Sequence, residues 1–175
     1  MLSTRLVRLI ETHSEALSRA LAAEIRASER TSDFREIPEH ELQLGAIELY
    51  RHVGEWLLQK TEDDIARRFK AIAARRAAQG IRLQQFVWAM MMTRDQMLRF
   101  LRREAFADNI VALHSELELR QLLYQFFDRG IYYAVVGYEE AESRDMHSNL
   151  RRVQELATSI GLMEERRAEQ NYAEE

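Results

Sequence analysis

Hydrophobic residues recur every three or four positions along most of this chain, the spacing of helices that each bury one face. Leu6, Leu9, Ile10, His13, Leu17, Ala20, Leu21 and Ile25 form the first stripe and predict a helix over 5–28. The polar run RTSDFREIP interrupts it and closes on Pro38, which suits the first position of a new helix. Phe34 and Ile37 are expected to tuck this linker against the body. Leu42, Ala46, Leu49, Tyr50, Val53, Trp56 and Leu57 then predict a second helix, ending near Lys60.

The centre of the chain is a helix–Gly–helix corner. Thr61 and Asp64 read as a capping pair, and acids crowd the first turn, where the helix dipole favours them. Ile65, Phe69, Ile72, Ala73 and Arg76 share one face of a helix over about 62–79. Gly80 stands where a left-handed residue ends it. Phe86, Val87, Met90, Met91, Met97, Leu98 and Leu101 predict a broader apolar face over 83–104.

A break is expected near 104–108, with Asp108 or Asn109 capping the next helix. Leu117, Leu119, Leu122, Leu123, Phe126 and Phe127 are dense enough for burial from several sides, and Ile131, Val135 and Tyr138 continue the face. Gly130 and Gly137 lie seven residues apart on one side, which predicts a close helix approach, including one across a two-fold axis. Further breaks are candidates at 113–116 and 143–148. Val153, Leu156, Ile160 and Met163 make a narrow stripe in the tail, suited to pairing with a second chain. The pattern therefore predicts an all-α, multi-helix domain over 1–148. Residues 149–175 read as a helical extension or a linker towards an output domain.

Composition narrows this further. One proline and six glycines leave few turns for a sheet protein, and 46% hydrophobic residues suffice for a core. The absence of cysteine excludes disulfides, thiolate metal sites and cysteine nucleophiles, and fits a reducing compartment. The N-terminal segment has no continuous apolar stretch of a signal peptide, and no window approaches a membrane span of roughly 18 apolar residues. A cytoplasmic protein is the resulting expectation.

Charge is uneven. The chain carries 25 basic and 29 acidic groups, a net of −4, yet residues 67–103 hold ten basic residues against one acid, Asp95. Residues 104–147 hold nine acids and three basics. The basic stretch could meet an anionic partner, or the two halves could neutralise each other in the fold or across a dimer. Exposed aromatics are not interleaved with it as in nucleic-acid grooves, so nucleic acid is not the expected partner.

Candidate chemistry is sparse. His13 lies inside an apolar stripe and reads as a packed residue. His52 has Glu48 and Glu55 on adjacent turns, but the paired Glu-x-x-His order of a di-iron bundle does not occur. The Ala-rich end AIAARRAAQG would let a neighbouring helix approach and would fix Arg75, Arg76 and Gln79 as donors for a carboxylate or phosphate. With the adaptable Met90–Met92 run, this makes Trp56, Arg76, Gln79, Trp88 and Met91 the candidate ligand-binding residues. Ile131, Val135, Tyr138, Val153 and Leu156 are the candidate homodimer contacts. No nucleophile elbow or phosphate loop places any Ser, His or Asp for catalysis.

The succession YRHVGEWLLQKTEDDIARRFKAIAARRAAQGIRLQQFVWAMMMTRDQMLRFLRRE, with the later FFDRGIYYAVVGYEEAES, resembles the N-terminal helical sensor domain of RsbR-type co-antagonists of bacterial stress signalling. The resemblance covers about residues 45–143, and its most telling pieces are the corner Arg76–Leu83 and the late Phe-Asp-Arg. It implies a globin-like or related bundle that binds no haem, dimerises, and feeds an output domain or partner through its last helix. Three functional classes are in play: a non-enzymatic sensory or regulatory module; a haem- or metal-binding globin-like protein using His52 or His114; and a transcription-linked regulator using residues 67–103. The first is the expectation, with no cofactor.

Overall fold

Helix signals in the sequence become helices with little exception. The computed structural model describes residues 2–104 and 110–173, and the side chains of 4–104 and 113–159. Helices α1 (Leu2–Thr12) and α2 (Ser14–Ala27) lead into a 3-10 segment (Glu29–Glu36). Next come α3 (Glu39–Arg51), α4 (Val53–Leu58), α5 (Glu62–Ala78), α6 (Leu83–Glu104) and α7 (Ile110–Ala173). No strand occurs among the described residues, so the fold is an all-α multi-helix bundle with a long C-terminal helix. Asp108 and Asn109, expected as caps, lie outside the described residues.

Two expected helices are each broken once, both at histidine. His13 (φ −96°, ψ 12°) separates α1 from α2, and His52 (φ −121°, ψ 20°) separates α3 from α4. His13 is exposed overall, yet its ring lies 5.2 Å from that of Phe100 and its Nδ1 2.8 Å from the Leu9 carbonyl, the single hydrogen bond expected of it. The second break frees the backbone N–H of Gly54, which donates to the Glu11 carboxylate of α1 at 3.2 Å. A Cβ at Gly54 would lie 2.6 Å from Val7, so α1 crosses where a side chain is missing. Neither 113–116 nor 143–148 interrupts α7.

The corner forms as its residues dictate. Thr61 and Asp64 complete a reciprocal capping box on α5, and Gly80 takes φ 77°. Gln79 and Ile81 donate backbone hydrogen bonds to the last α5 carbonyls. Arg82 then clamps Asp33 with two side-chain bonds of 2.9 Å, tying the corner to the 3-10 segment.

The core joins Ile10, Tyr50, Val53, Met97, Leu101, Leu119, Leu123 and Phe127, all fully buried. A deep polar link in it is Gln96, which accepts from the Tyr50 hydroxyl and donates to the Leu17 carbonyl at 3.0 Å. Burial pushes the Tyr50 phenol far above its ordinary range, so it remains a donor. Phe69, Phe126 and Phe127 meet edge to face with centroids 5.3–5.4 Å apart.

The paired glycines of α7 face inward. A Cβ at Gly130 would lie 2.7–2.9 Å from the Phe69 ring, and one at Gly137 would lie 2.9 Å from the Lys70 Cα. The close approach is thus to α5 of the same chain, not across a two-fold axis. Tyr138 is also buried, its hydroxyl donating to the Ile81 carbonyl at 3.0 Å. That position cannot serve as a contact between chains.

The chain divides into two compact units, the first ending at Tyr138 and the second comprising Glu139–Glu175. This division falls before the expected boundary at 148. In the second unit every described residue from Glu142 to Ser159 is exposed.

Glycine substitutions test this packing. Gly137→Ala should cost about 1–3 kcal/mol, because the new methyl meets backbone that cannot swing aside. Gly45→Ala, mid-helix with nothing within 4 Å of its Cβ, should instead stabilise by about 0.5–1 kcal/mol. Urea denaturation of both variants measures the contrast, and equal effects would contradict it.

Candidate functional site

Between α2, α3, α5 and α6 the core is not closed. A cavity of about 110 Å³ lies there, walled by carbon from Leu21, Ile25, Phe34, Ala46, Phe86, Met90 and Phe127, among others. Gly45 of α3 and Arg68, Ile72 and Arg75 of α5 line both this cavity and a surface groove of about 240 Å³ that also includes Glu48 and Ala71. The shared residues make the groove its mouth.

Charge, rather than carbon, spans from α3 to α5 on either side of that mouth. At one end Arg76 Nη1 donates to Glu41 at 3.0 Å and to Gln79 Oε1 at 2.7 Å, and Gln79 donates to Glu41 at 2.9 Å. The Gln79 amide first, with help from Arg76 and Arg75, holds the Glu41 carboxyl below its usual range. Arg76 is buried, and burial ahead of repulsion from Arg75 pulls its guanidinium below its ordinary value. At the other end Arg68 Nη1 donates to Glu48 Oε1 at 2.6 Å.

Arg68 is the unusual member. Its side chain is only 11% exposed, its guanidinium carbon sits 4.5 Å from the Trp56 ring centroid, and its buried Nε has no hydrogen-bond partner. Arg75 is exposed at the mouth, and its side chain makes no hydrogen bond or ion pair among the described residues. Thr93, the remaining polar side chain of the wall, already donates to the Ala89 carbonyl at 2.8 Å. The lining therefore offers cationic donors to anything that enters.

Of the residues singled out in the sequence, Arg76 lines the cavity and Gln79 is bonded to it. Trp56 reaches the site through Arg68. Trp88 lies beneath Arg30, 4.3 Å from the guanidinium carbon to the ring centroid, and Met91 is half-buried; neither lines the cavity. Arg68, Gly45 and Phe34 were not anticipated. Gly45 carried the one available signal, a glycine in the middle of an otherwise ordinary helix. His52 and His114 are exposed and do not line the cavity, and no histidine does. Among the described residues no group of His, Asp and Glu is arranged to hold a metal.

The basic stretch 67–103 is largely occupied. Arg67 pairs with Asp64, Arg68 with Glu48, Arg76 with Glu41, Arg82 with Asp33 and Arg99 with Glu24. Arg94 meets Asp95 and Asp128. Neutralisation thus comes mainly from acids of residues 24–64 rather than from the acidic stretch 104–147. No helix among the described residues is long and apolar enough to cross a membrane. No family model, curated protein or solved structure matches the chain.

The wall residue Phe34 is held by the Asp33–Arg82 clamp, and this makes the site acid-sensitive. Hydrogen bonding to Arg82 lowers the Asp33 carboxyl from 3.8 to about 2. A depressed carboxyl stabilises the fold above its unfolded value and loses that contribution as pH falls. The clamp should be intact above about pH 4 and lost as pH drops through about 2. Asp33→Asn should accordingly be less stable than wild type at neutral pH and show a shallower decline across that window. Parallel denaturation curves for the two proteins would assign the acid sensitivity elsewhere.

Proposed function

We propose that this chain is a non-enzymatic sensory or regulatory domain of bacterial signalling that acts as a homodimer and passes its signal through α7. The observation that carries this reading is the two-sided character of α7 within residues 113–138. Leu119, Leu123, Phe126 and Phe127 face the core, while Leu113, Leu117, Tyr124 and Tyr132 are exposed, Leu117 at 53% and Tyr132 at 63%. These four are spaced by four, seven and eight residues, one or two helical turns each, and half-exposed Val135 continues them. An apolar row of this length is the kind of surface that a second copy covers isologously.

The second unit has its own exposed row, Met146, Leu150, Val153 and Leu156, at the spacing of a narrow pairing seam. Ile160 and Met163, expected to prolong it, lie outside the described side chains. Phe127 of α7 is also a wall of the cavity, so an event inside the cavity touches the proposed dimer helix directly. Dimerisation and signalling through the last helix are what the resemblance to RsbR-type sensor domains implies, with a cytoplasmic partner or output domain downstream.

Leu117→Glu and Val135→Glu test the seam. An unpaired charge buried between chains costs several kcal/mol, so dimer dissociation constants should rise by at least about a hundredfold with helicity unchanged. Sedimentation velocity together with circular dichroism measures both. A wild-type monomer at high concentration, or tight dimers in both variants, would remove this reading.

A further inference from the structure

We infer that the cavity binds a small organic carboxylate, with its apolar group among Phe34, Phe86, Met90 and Phe127 and its carboxylate on the Arg68 guanidinium. The inference deepens the sensory reading, and rests on it, by naming the chemical class that the site would sense.

Size comes first. A cavity of about 110 Å³ is somewhat smaller than the roughly 150 Å³ void that accommodates benzene, so its interior takes about four carbon atoms and the adjoining groove leaves room for a body of about six. Long acyl chains and porphyrins do not fit. The apolar wall has no use for an inorganic anion, which would remain at the mouth and leave the carbon-lined interior unmatched.

Charge comes second. The polar side chains of the wall are three arginines and a threonine that already donates inward. Arg76 is engaged by Glu41 and Gln79, whereas Arg68 has one bond, to a Glu48 side chain that is 62% exposed, and a buried Nε with no acceptor. Nε and the neighbouring Nη form the planar fork that two carboxylate oxygens match. Arg75, unpaired at the same mouth, supplies a second positive charge along the approach. A neutral hydrocarbon would leave the Arg68 donor unsatisfied. A small acid with an apolar body satisfies both features together.

Access comes third. Gly45 sits at the mouth with nothing within 4 Å of where its Cβ would be, so α3 leaves the opening unblocked. Glu48 is the movable gate, since a mostly exposed carboxylate can surrender Arg68 to an incoming one.

Trp56 stacks on Arg68 and reports its environment, and a Trp88→Phe background isolates its fluorescence. Sodium benzoate and hexanoate at neutral pH should shift Trp56 emission saturably and raise the melting temperature. Acetate and inorganic phosphate should do neither, and benzyl alcohol should bind at least about tenfold more weakly, a difference of about 1.4 kcal/mol. Arg68→Met should abolish the preference for acid over alcohol, and Gly45→Leu should close the mouth and block both. Gly45→Leu decides the matter if Arg68→Met does not fold. No saturable shift with either acid, equal binding of benzyl alcohol, or unchanged benzoate binding in a folded Arg68→Met protein overturns the inference. Sedimentation with and without benzoate separates the two readings. Binding with no change in dimer affinity sinks signalling and leaves the ligand assignment standing. A dimer that ignores every acid does the reverse.

Discussion

The tight seating of α7 on α5 is the constraint on which the rest of the structure depends. At Gly130 and Gly137 no side-chain carbon fits between the two helices, so the Phe69 ring and the Lys70 backbone come directly against α7. That approach brings Phe69, Phe126 and Phe127 into one edge-to-face cluster, with Trp56 joining Phe126 at 6.3 Å. With α5 so placed, its other side meets α3 through long side chains rather than through close-packed carbon. Arg68 and Arg76 reach Glu48 and Glu41, and the cavity is what remains between them.

Different forces hold the two sides of α5. The pairs at Glu41 and Glu48 each join a buried guanidinium to a more exposed carboxylate, and the cost of desolvating the arginine offsets much of the attraction, so they do little to hold the helix in place. Burial of Phe69, Phe126 and Phe127 does that, at roughly 25 cal/mol per Å² of apolar surface. The charges instead define the mouth. On the proposed sensory reading, the polar side of α5 adjusts to an entering molecule and the side seated on glycine carries that adjustment to α7.

The same charges change what the basic central stretch means. Read linearly, residues 67–103 look like an anion-binding surface. In the fold, most of their guanidinium groups are engaged by Glu24, Asp33, Glu41, Glu48 and Asp64, leaving Arg75 exposed at the mouth and the buried Arg68 Nε without a partner. A small anion meets that arrangement better than a polyanion does.

Local features were legible in the sequence because local interactions cause them. The Thr61–Asp64 box, the left-handed Gly80 and the apolar faces of α3, α5 and α6 each depend on residues within a few positions of one another. Arg76 and Gln79 were also legible, as donors fixed at a helix end. The histidine breaks, the inward turn of Gly130, Gly137 and Tyr138, and the burial of Arg68 were not. Each depends on a distant partner: Glu11 for the freed Gly54 amide, α5 for the glycines, Trp56 and Glu48 for Arg68. Helical periodicity states which residues share a face. Which of two apolar faces meets its own chain is set by side-chain volume between helices far apart in sequence, and only the tertiary structure decides it.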